Sequence, residues 1–88
     1  MRYRFEVLVT LKPGLADPQG KAVEASLPAI GFPSVTDVHV GRHVRLDVEA
    51  TSEPEARAQV EEVARRLLSN PVIEDFRVLE PAETDAGS

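Results

Sequence analysis

The sequence predicts an α+β domain with the element order βαββαβ, the split-βαβ arrangement of ferredoxin-like folds. Two observations carry this prediction. Four segments alternate apolar and polar residues with the period of a strand, and two intervening segments combine helix-capping residues with apolar residues at helical spacing. We therefore expect a four-stranded antiparallel sheet with both helices on one face. The chain of 88 residues leaves room for one domain, predicted over 1–80, with a disordered acidic tail over 81–88.

The first strand is predicted over Arg2–Leu11, where apolar residues alternate regularly. Lys12-Pro13-Gly14 ends it, because proline lacks an N–H donor and glycine accepts positive φ. Asp17 then provides an N-cap for a first helix that runs to Gly31, with Pro28 tightening its last turn. The residues expected on its buried face are Val23, Leu27 and Ile30.

Two middle strands are predicted over Val35–Val40 and Val44–Ala50, joined by a three-residue loop that places Val40 opposite Val44. Ser52 and Glu55 then form a capping box for the second helix, which ends before Pro71. The residues expected on the buried face of this helix are Ala56, Val60, Val63, Ala64 and Leu67. The fourth strand is predicted from Glu74 to Leu79.

Composition excludes several classes of function. The net charge of −5, from 15 acidic and 10 basic residues, is unfavourable for nucleic-acid binding. The absence of cysteine excludes thiolate chemistry and fits a cytoplasmic protein, and no apolar run is long enough to cross a membrane. The polar face of the predicted sheet is either an oligomer surface or a solvated face.

No set of residues indicates catalysis. His39 is predicted on the open sheet face and His43 in a turn, so that a metal site lacks a third ligand. Asp37 and Asp47 would lie opposite each other on the open face, away from any pocket. The glycines between Gly14 and Lys21 lack the spacing of a phosphate-binding loop. We expect no catalytic, cofactor-binding or metal-binding residue, and interpret the chain as an interaction module.

Two proline-containing segments remain as candidate recognition surfaces. The first runs from Thr10-Leu11-Lys12-Pro13-Gly14 to Asp17-Pro18-Gln19-Gly20-Lys21-Ala22, and the second is Leu68-Ser69-Asn70-Pro71-Val72-Ile73-Glu74-Asp75-Phe76. Together, and with the glycine hairpin between them, they resemble the PurS family, the small subunit of phosphoribosylformylglycinamidine synthase. The resemblance extends to about Glu80.

The resemblance implies a non-catalytic subunit of purine biosynthesis. It would act as a homodimer or tetramer that docks a glutaminase subunit onto a large synthetase subunit and supports ammonia transfer, with possible strand exchange between protomers. ATP and Mg would be used by the synthetase and no cofactor by this chain. The interface residues it implies are Lys12, Pro13, Gly14, Asp17, Gln19, Gly20, Lys21, Asn70, Pro71, Glu74 and Asp75.

Two other functions fit the same element order. A small-molecule-sensing module of the ACT type resembles this chain in its Pro13-Gly14 pair after the first strand. An acyl-phosphate hydrolase would need an arginine in that loop to bind its anionic substrate, and the only basic residues of the loop are lysines.

Overall fold

The computed structural model describes residues 1–79 and the backbone of residues 82 and 83. The strands are β1 (Arg2–Leu11), β2 (Arg42–Glu49), β3 (Glu74–Val78) and the short β4 (Ala82–Glu83), and the helices are α1 (Pro18–Ser26) and α2 (Glu53–Val63). A 3₁₀ turn over Pro28–Ile30 follows α1, and a π-helical turn over Ala64–Leu68 continues α2. No helix within this part of the chain is long and apolar enough to cross a bilayer.

β1 is the central strand of an antiparallel sheet with the order β2-β1-β3. Phe5 lies opposite Leu46 of β2, and Val9 lies opposite Phe76 of β3. β4 extends the β3 side by pairing with Tyr3 and Arg4 of β1. Ala82 and Glu83 belong to the predicted tail over 81–88, whose residues 81 and 84–88 lie outside the described part.

The core is small and lies between β1 and α2. Phe5, Val7 and Val9 of β1 are almost completely buried, and Ala56, Val60 and Ala64 of α2 are buried against them. The guanidinium carbon of Arg57 lies 5.7 Å from the centre of the Phe5 ring, a cation–π distance. α2 thus covers the middle of the sheet, as the sequence predicts.

α2 begins as predicted, but fewer of its residues are buried than the sequence predicts. The Ser52 hydroxyl accepts the N–H of Glu55, and the Glu55 carboxylate in turn accepts the hydroxyl of Thr51. The prediction that Val63 and Leu67 are buried is wrong: their side chains are 38% and 78% exposed. The π-helical turn widens the last turn, so that Leu68 instead of Leu67 packs against the core.

The predicted strand over Val35–Val40 does not form, and its hairpin with the next strand is therefore wrong. Residues 35–41, the return segment, run back along α1, and two of their backbone N–H groups donate to side chains. The N–H of Val38 donates to Glu24 at 3.3 Å, and that of Val40 donates to Asp17 at 2.9 Å. Asp37 has a left-handed φ of 59°, which interrupts the extended backbone that a strand needs. β2 consequently starts earlier, at Arg42.

α1 is also placed differently from the prediction of two helices on one face of the sheet. Gly20 is its only buried residue, and Val23 and Ile30 on its predicted buried face are exposed. We call residues 15–41, which contain α1, the 3₁₀ turn and the return segment, the arm. The Cα radius of gyration is 16.7 Å, against about 12 Å for a compact domain of this length, and the molecule measures 50 × 33 × 14 Å. The arm makes the chain elongated.

The sheet face opposite α2 is polar, and no described element covers it. Arg4 forms a forked ion pair with Asp47, and the Nε2 atom of His43 lies 2.5 Å from Glu6. His43 therefore lies in β2 and not in a turn. His39 lies in the return segment, so the predicted positions of His39 on this face and of Asp37 opposite Asp47 are wrong.

Candidate functional site

The two segments singled out from the sequence meet at one end of the sheet, where β1 ends and β3 begins. The backbone N–H of Lys12 donates to the carbonyl of Ile73 at 2.9 Å, and the Lys12 ammonium binds Asp75 at 2.8 Å. Leu11 lies opposite Glu74 in the adjoining register pair. Residues 61 to 63 positions apart in the sequence thus form one continuous surface.

The loop after β1 is a tight turn. The N–H of Leu15 donates to the Lys12 carbonyl at 3.3 Å, and Gly14 has a φ of 86°. Proline followed by a glycine with positive φ is typical of a type II turn. Pro13, Gly14 and Leu15 are exposed, so the turn presents both backbone and an apolar side chain to solvent.

The segment from Asn70 to Glu74, which we call the Asn70 turn, is held by its own hydrogen bonds. The side-chain oxygen of Asn70 accepts the N–H of Val72 at 3.1 Å, and its backbone carbonyl accepts the N–H groups of Ile73 and Glu74. The Glu74 carboxylate closes the turn by accepting the N–H of Asn70 at 2.8 Å. Val72 at the apex is 79% exposed. The turn therefore holds an apolar side chain in solvent on a fixed backbone.

Asp17 joins the start of α1 to the return segment. Its Oδ1 atom accepts the N–H of Gly20 and its Oδ2 atom accepts the N–H of Val40, both at 2.9 Å. These two donors hold the pKa of Asp17 below its usual value, with a smaller contribution from His39. Asp17 is 7% exposed. Asp17 therefore holds two parts of the arm together and offers little surface to a partner.

Arg42 was missed by the sequence analysis, which placed it in a hairpin loop. Its guanidinium binds both carboxylate oxygens of Glu74, at 3.0 and 2.9 Å, and donates to the carbonyl of Leu68 at 2.8 Å. The ion pair lowers the pKa of Glu74 and raises that of Arg42. The only sequence signal was the sign of its charge, which could not identify a partner 32 residues away.

Two clefts border this surface. A cleft of about 330 Å³ lies between Lys12, Leu15 and His39, and one of about 240 Å³ lies between Gln19, Arg42 and Glu74. Asp17 borders both clefts, and its carboxylate oxygens are already bonded to backbone donors. The first cleft follows the loop after β1, and the second reaches Glu74, the last residue of the Asn70 turn.

The structure divides the eleven sequence-predicted residues into three groups. Asp17 and Gly20 are buried, and the Glu74 side chain is 13% exposed, so these three hold the surface together. Lys12 is half-buried and paired with Asp75. The exposed residues are Pro13, Gly14, Gln19, Lys21, Asn70, Pro71 and Asp75.

These contacts define a class of protein. Apolar side chains on rigid turns, with the neighbouring charges already paired, are suited to contact with another protein, so the chain is a small α+β assembly module. Comparison with known proteins gives the family. Residues 4–80 match the family model described as PurS, phosphoribosylformylglycinamidine (FGAM) synthase.

Relatives and solved structures agree with this match. The PurS subunit of FGAM synthase from Bacillus subtilis is 39% identical over 75 residues, which cover 85% of this chain and 88% of the relative. That from Synechocystis is 36% identical over 74 residues, covering 84% and 74%. Thermus thermophilus PurS superposes with a TM-score of 0.86 at 35% identity, covering 97% of this chain and all of that one.

A chain in the PurLQS structure from Thermotoga maritima superposes with a TM-score of 0.85 at 31% identity, covering 91% of this chain and 98% of that one. The chain therefore belongs to the PurS family, the small subunit of FGAM synthase, a glutamine-dependent ligase complex of purine biosynthesis. The match favours the PurS resemblance over the ACT-type and acyl-phosphate hydrolase alternatives.

Proposed function

We propose that this chain is the bridging subunit of FGAM synthase, which docks the glutaminase subunit onto the ATP-using synthetase subunit and supports ammonia transfer between them. One observation carries the proposal: Lys12 joins the loop after β1 to the Asn70 turn, so that both family-like segments form one rigid surface. The PurLQS assembly from Thermotoga maritima, which contains a similar chain, supports it. The eleven residues above form or hold this interface.

The chain makes this contribution without a cofactor, while ATP and Mg are used by the synthetase, and it works in the cytoplasm with the rest of the pathway. The acidic composition and the lack of a phosphate-binding glycine motif support the proposal that this chain itself binds no nucleotide cofactor.

The test is to assemble the three subunits and to measure turnover with and without this chain. Omission should abolish glutamine-dependent turnover and leave ammonia-dependent turnover by the synthetase largely intact. An unchanged glutamine-dependent rate would contradict the bridging role.

Gly14→Val tests the loop itself. It disfavours the positive φ by about 1 kcal/mol or more and should weaken assembly more than folding, measured by subunit titration and by thermal unfolding. Equal effects on assembly and folding would make the loop only structural.

We also propose that the subunit is a homodimer in which the return segment is exchanged between protomers. Within the described part of the chain, β2 pairs with β1 alone, so its outer edge is open to another strand. Residues 35–40 have the alternation of a strand but do not join the sheet in their own chain. The arm also carries exposed apolar side chains, among them Ile30, Phe32 and Val35.

Phe32→Ser should shift the protein from dimer to monomer, as measured by analytical ultracentrifugation. Leu67→Ser is the matched control, since it removes an exposed apolar side chain outside the arm. A dimer that survives Phe32→Ser and Val35→Ser together would exclude exchange through the arm, while leaving the bridging function to the turnover assay.

A further inference from the structure

Arg42 lies where the two family-like segments meet but belongs to neither. It is the first residue of β2, it binds both carboxylate oxygens of Glu74 at the start of β3, and it binds the Leu68 carbonyl at the end of the π-helical turn. One guanidinium thus connects three elements. Because its donors form a planar fork, it fixes the orientation of the carboxylate as well as its distance.

The position of this ion pair relates it to the Asn70 turn. Arg42 lies opposite Val9 and Glu74 lies opposite Leu11, so the pair crosses the central strand just before Lys12. Glu74 in turn accepts the N–H of Asn70 through the same Oε1 atom that Arg42 binds. The orientation of the Glu74 carboxylate therefore depends on Arg42, and the first residue of the turn depends on Glu74.

The exposure of the Arg42 side chain indicates that its ion pair with Glu74 positions the turn and contributes little to overall stability. The Arg42 side chain is 55% exposed, and ion pairs at such positions contribute little to global stability. The turn that it holds lies outside the core of β1 and α2. Loss of Arg42 should free the Asn70 turn while the sheet stays folded.

We propose that Arg42 is a positioning residue which, acting through Glu74, holds the Asn70 turn and its exposed Val72 in the conformation that the partner subunits bind. This inference rests on the proposed bridging function. Loosening the turn adds an ordering cost to association, so the variant binds its partners more weakly but reaches the same complex.

The first experiment titrates Arg42→Gln into a fixed amount of synthetase and glutaminase and follows glutamine-dependent turnover. The concentration needed for half-maximal rate should rise about tenfold, with an unchanged rate at saturation. Arg42→Lys should fall between, because an ammonium cannot form the fork. Arg65→Gln is the control: Arg65 pairs with Glu62 at 2.7 Å on the exposed side of the helical segment, and its loss should change the titration less than twofold.

The second experiment measures what a purely stabilising role would not change. Hydrogen exchange of the Val72, Ile73 and Glu74 amides should accelerate in Arg42→Gln while exchange in β1 stays as in the wild type. Glu74→Gln should weaken the titration to a similar extent, and the double variant should be no weaker than either single one, as expected for residues that act as a unit.

Three results would overturn the inference: an Arg42→Gln titration no weaker than that of Arg65→Gln, a loss accompanied by faster exchange throughout β1, or a shift of the monomer–dimer equilibrium with unchanged partner affinity. The last would mean that the turn contacts a second copy. If omission of the wild-type chain abolishes turnover but Arg42→Gln behaves normally, only the positioning role fails. If omission has no effect, the bridging function fails.

Discussion

Asp17 and Val40 lie 23 residues apart in the sequence and are joined by one hydrogen bond, in which the Val40 N–H donates to Oδ2 of Asp17 at 2.9 Å. The other oxygen of the same carboxylate caps α1 through the Gly20 N–H. A residue that looks from the sequence like an ordinary N-cap therefore also fixes the return segment, and with it the course of the arm.

Asp17→Asn separates these two roles. An asparagine still offers one oxygen to cap α1, but its amide group can only donate, so it cannot accept the Val40 N–H. Exchange of the Val40 amide should accelerate roughly tenfold while that of Gly20 changes less. The control Asp37→Asn makes the same substitution at an 87% exposed side chain, where asparagine tolerates the left-handed backbone. Equal protection of Val40 in both variants would contradict the double role.

Acidification should destabilise the protein through three carboxyl groups. Hydrogen bonds and ion pairs lower the pKa values of Asp17, Asp47 and Glu74 in the folded state. Because the unfolded chain binds protons more readily, this stabilisation is complete above the unfolded pKa values, about 4, and is lost as the pH falls through the lower folded values. Urea unfolding between pH 7 and pH 3 measures the decline.

Asp47→Asn tests the assignment of this pH dependence. It removes one titrating group and its ion pair with Arg4, so its stability should fall less steeply on acidification than that of the wild type. Parallel curves for the two proteins would show that Asp47 does not contribute.

The sequence was sufficient wherever a local pattern decided the structure. β1 has the predicted bounds, Asp17 and Ser52 cap their helices, and Gly31 has the expected left-handed conformation at the end of the 3₁₀ turn that Pro28 begins. These features depend on residues within a few positions of each other. The loop and the Asn70 turn were also found from the sequence, although their contact through Lys12 and Ile73 was not.

The failures concern the tertiary environment of a locally correct pattern. Val35–Val40 alternate like a strand, but the N–H groups of Val38 and Val40 donate to the side chains of Glu24 and Asp17 in the same chain. Leu67 has helical spacing, but a π-helical turn moves it out of the core. Arg42 has no partner within its own segment. Contacts between residues that are distant in the sequence cannot be predicted from the periodicity of one segment.

The corrected buried face of α2 can be tested by a pair of substitutions. Val60→Ala should lower the free energy of unfolding by about 2 kcal/mol, since Val60 is fully buried against β1. Leu67→Ser should change it by only about 0.5 kcal/mol, since the side chain is 78% exposed. Chemical denaturation measures both changes. A large loss of stability for Leu67→Ser would show that Leu67 is buried, as the sequence predicts for a regular α-helix.

Gly20 provides a sharper test of the arm, because two effects of a substitution oppose each other there. Replacing glycine by alanine inside a helix normally stabilises it by about 1 kcal/mol. A Cβ at Gly20 would overlap the backbone carbonyl oxygen of Val38, which cannot move without displacing the return segment. We therefore expect Gly20→Ala to loosen residues 35–41, with faster amide exchange at Val38 and Val40.

Gly14→Ala is the control for this substitution. Its φ of 86° strains any other residue by about 1–2 kcal/mol, but no atom lies within 4 Å of the added Cβ. It should lower stability without exposing Val38 or Val40 to exchange. If Gly20→Ala instead raises the melting temperature and leaves both amides protected, the Val38 carbonyl does not lie against Gly20.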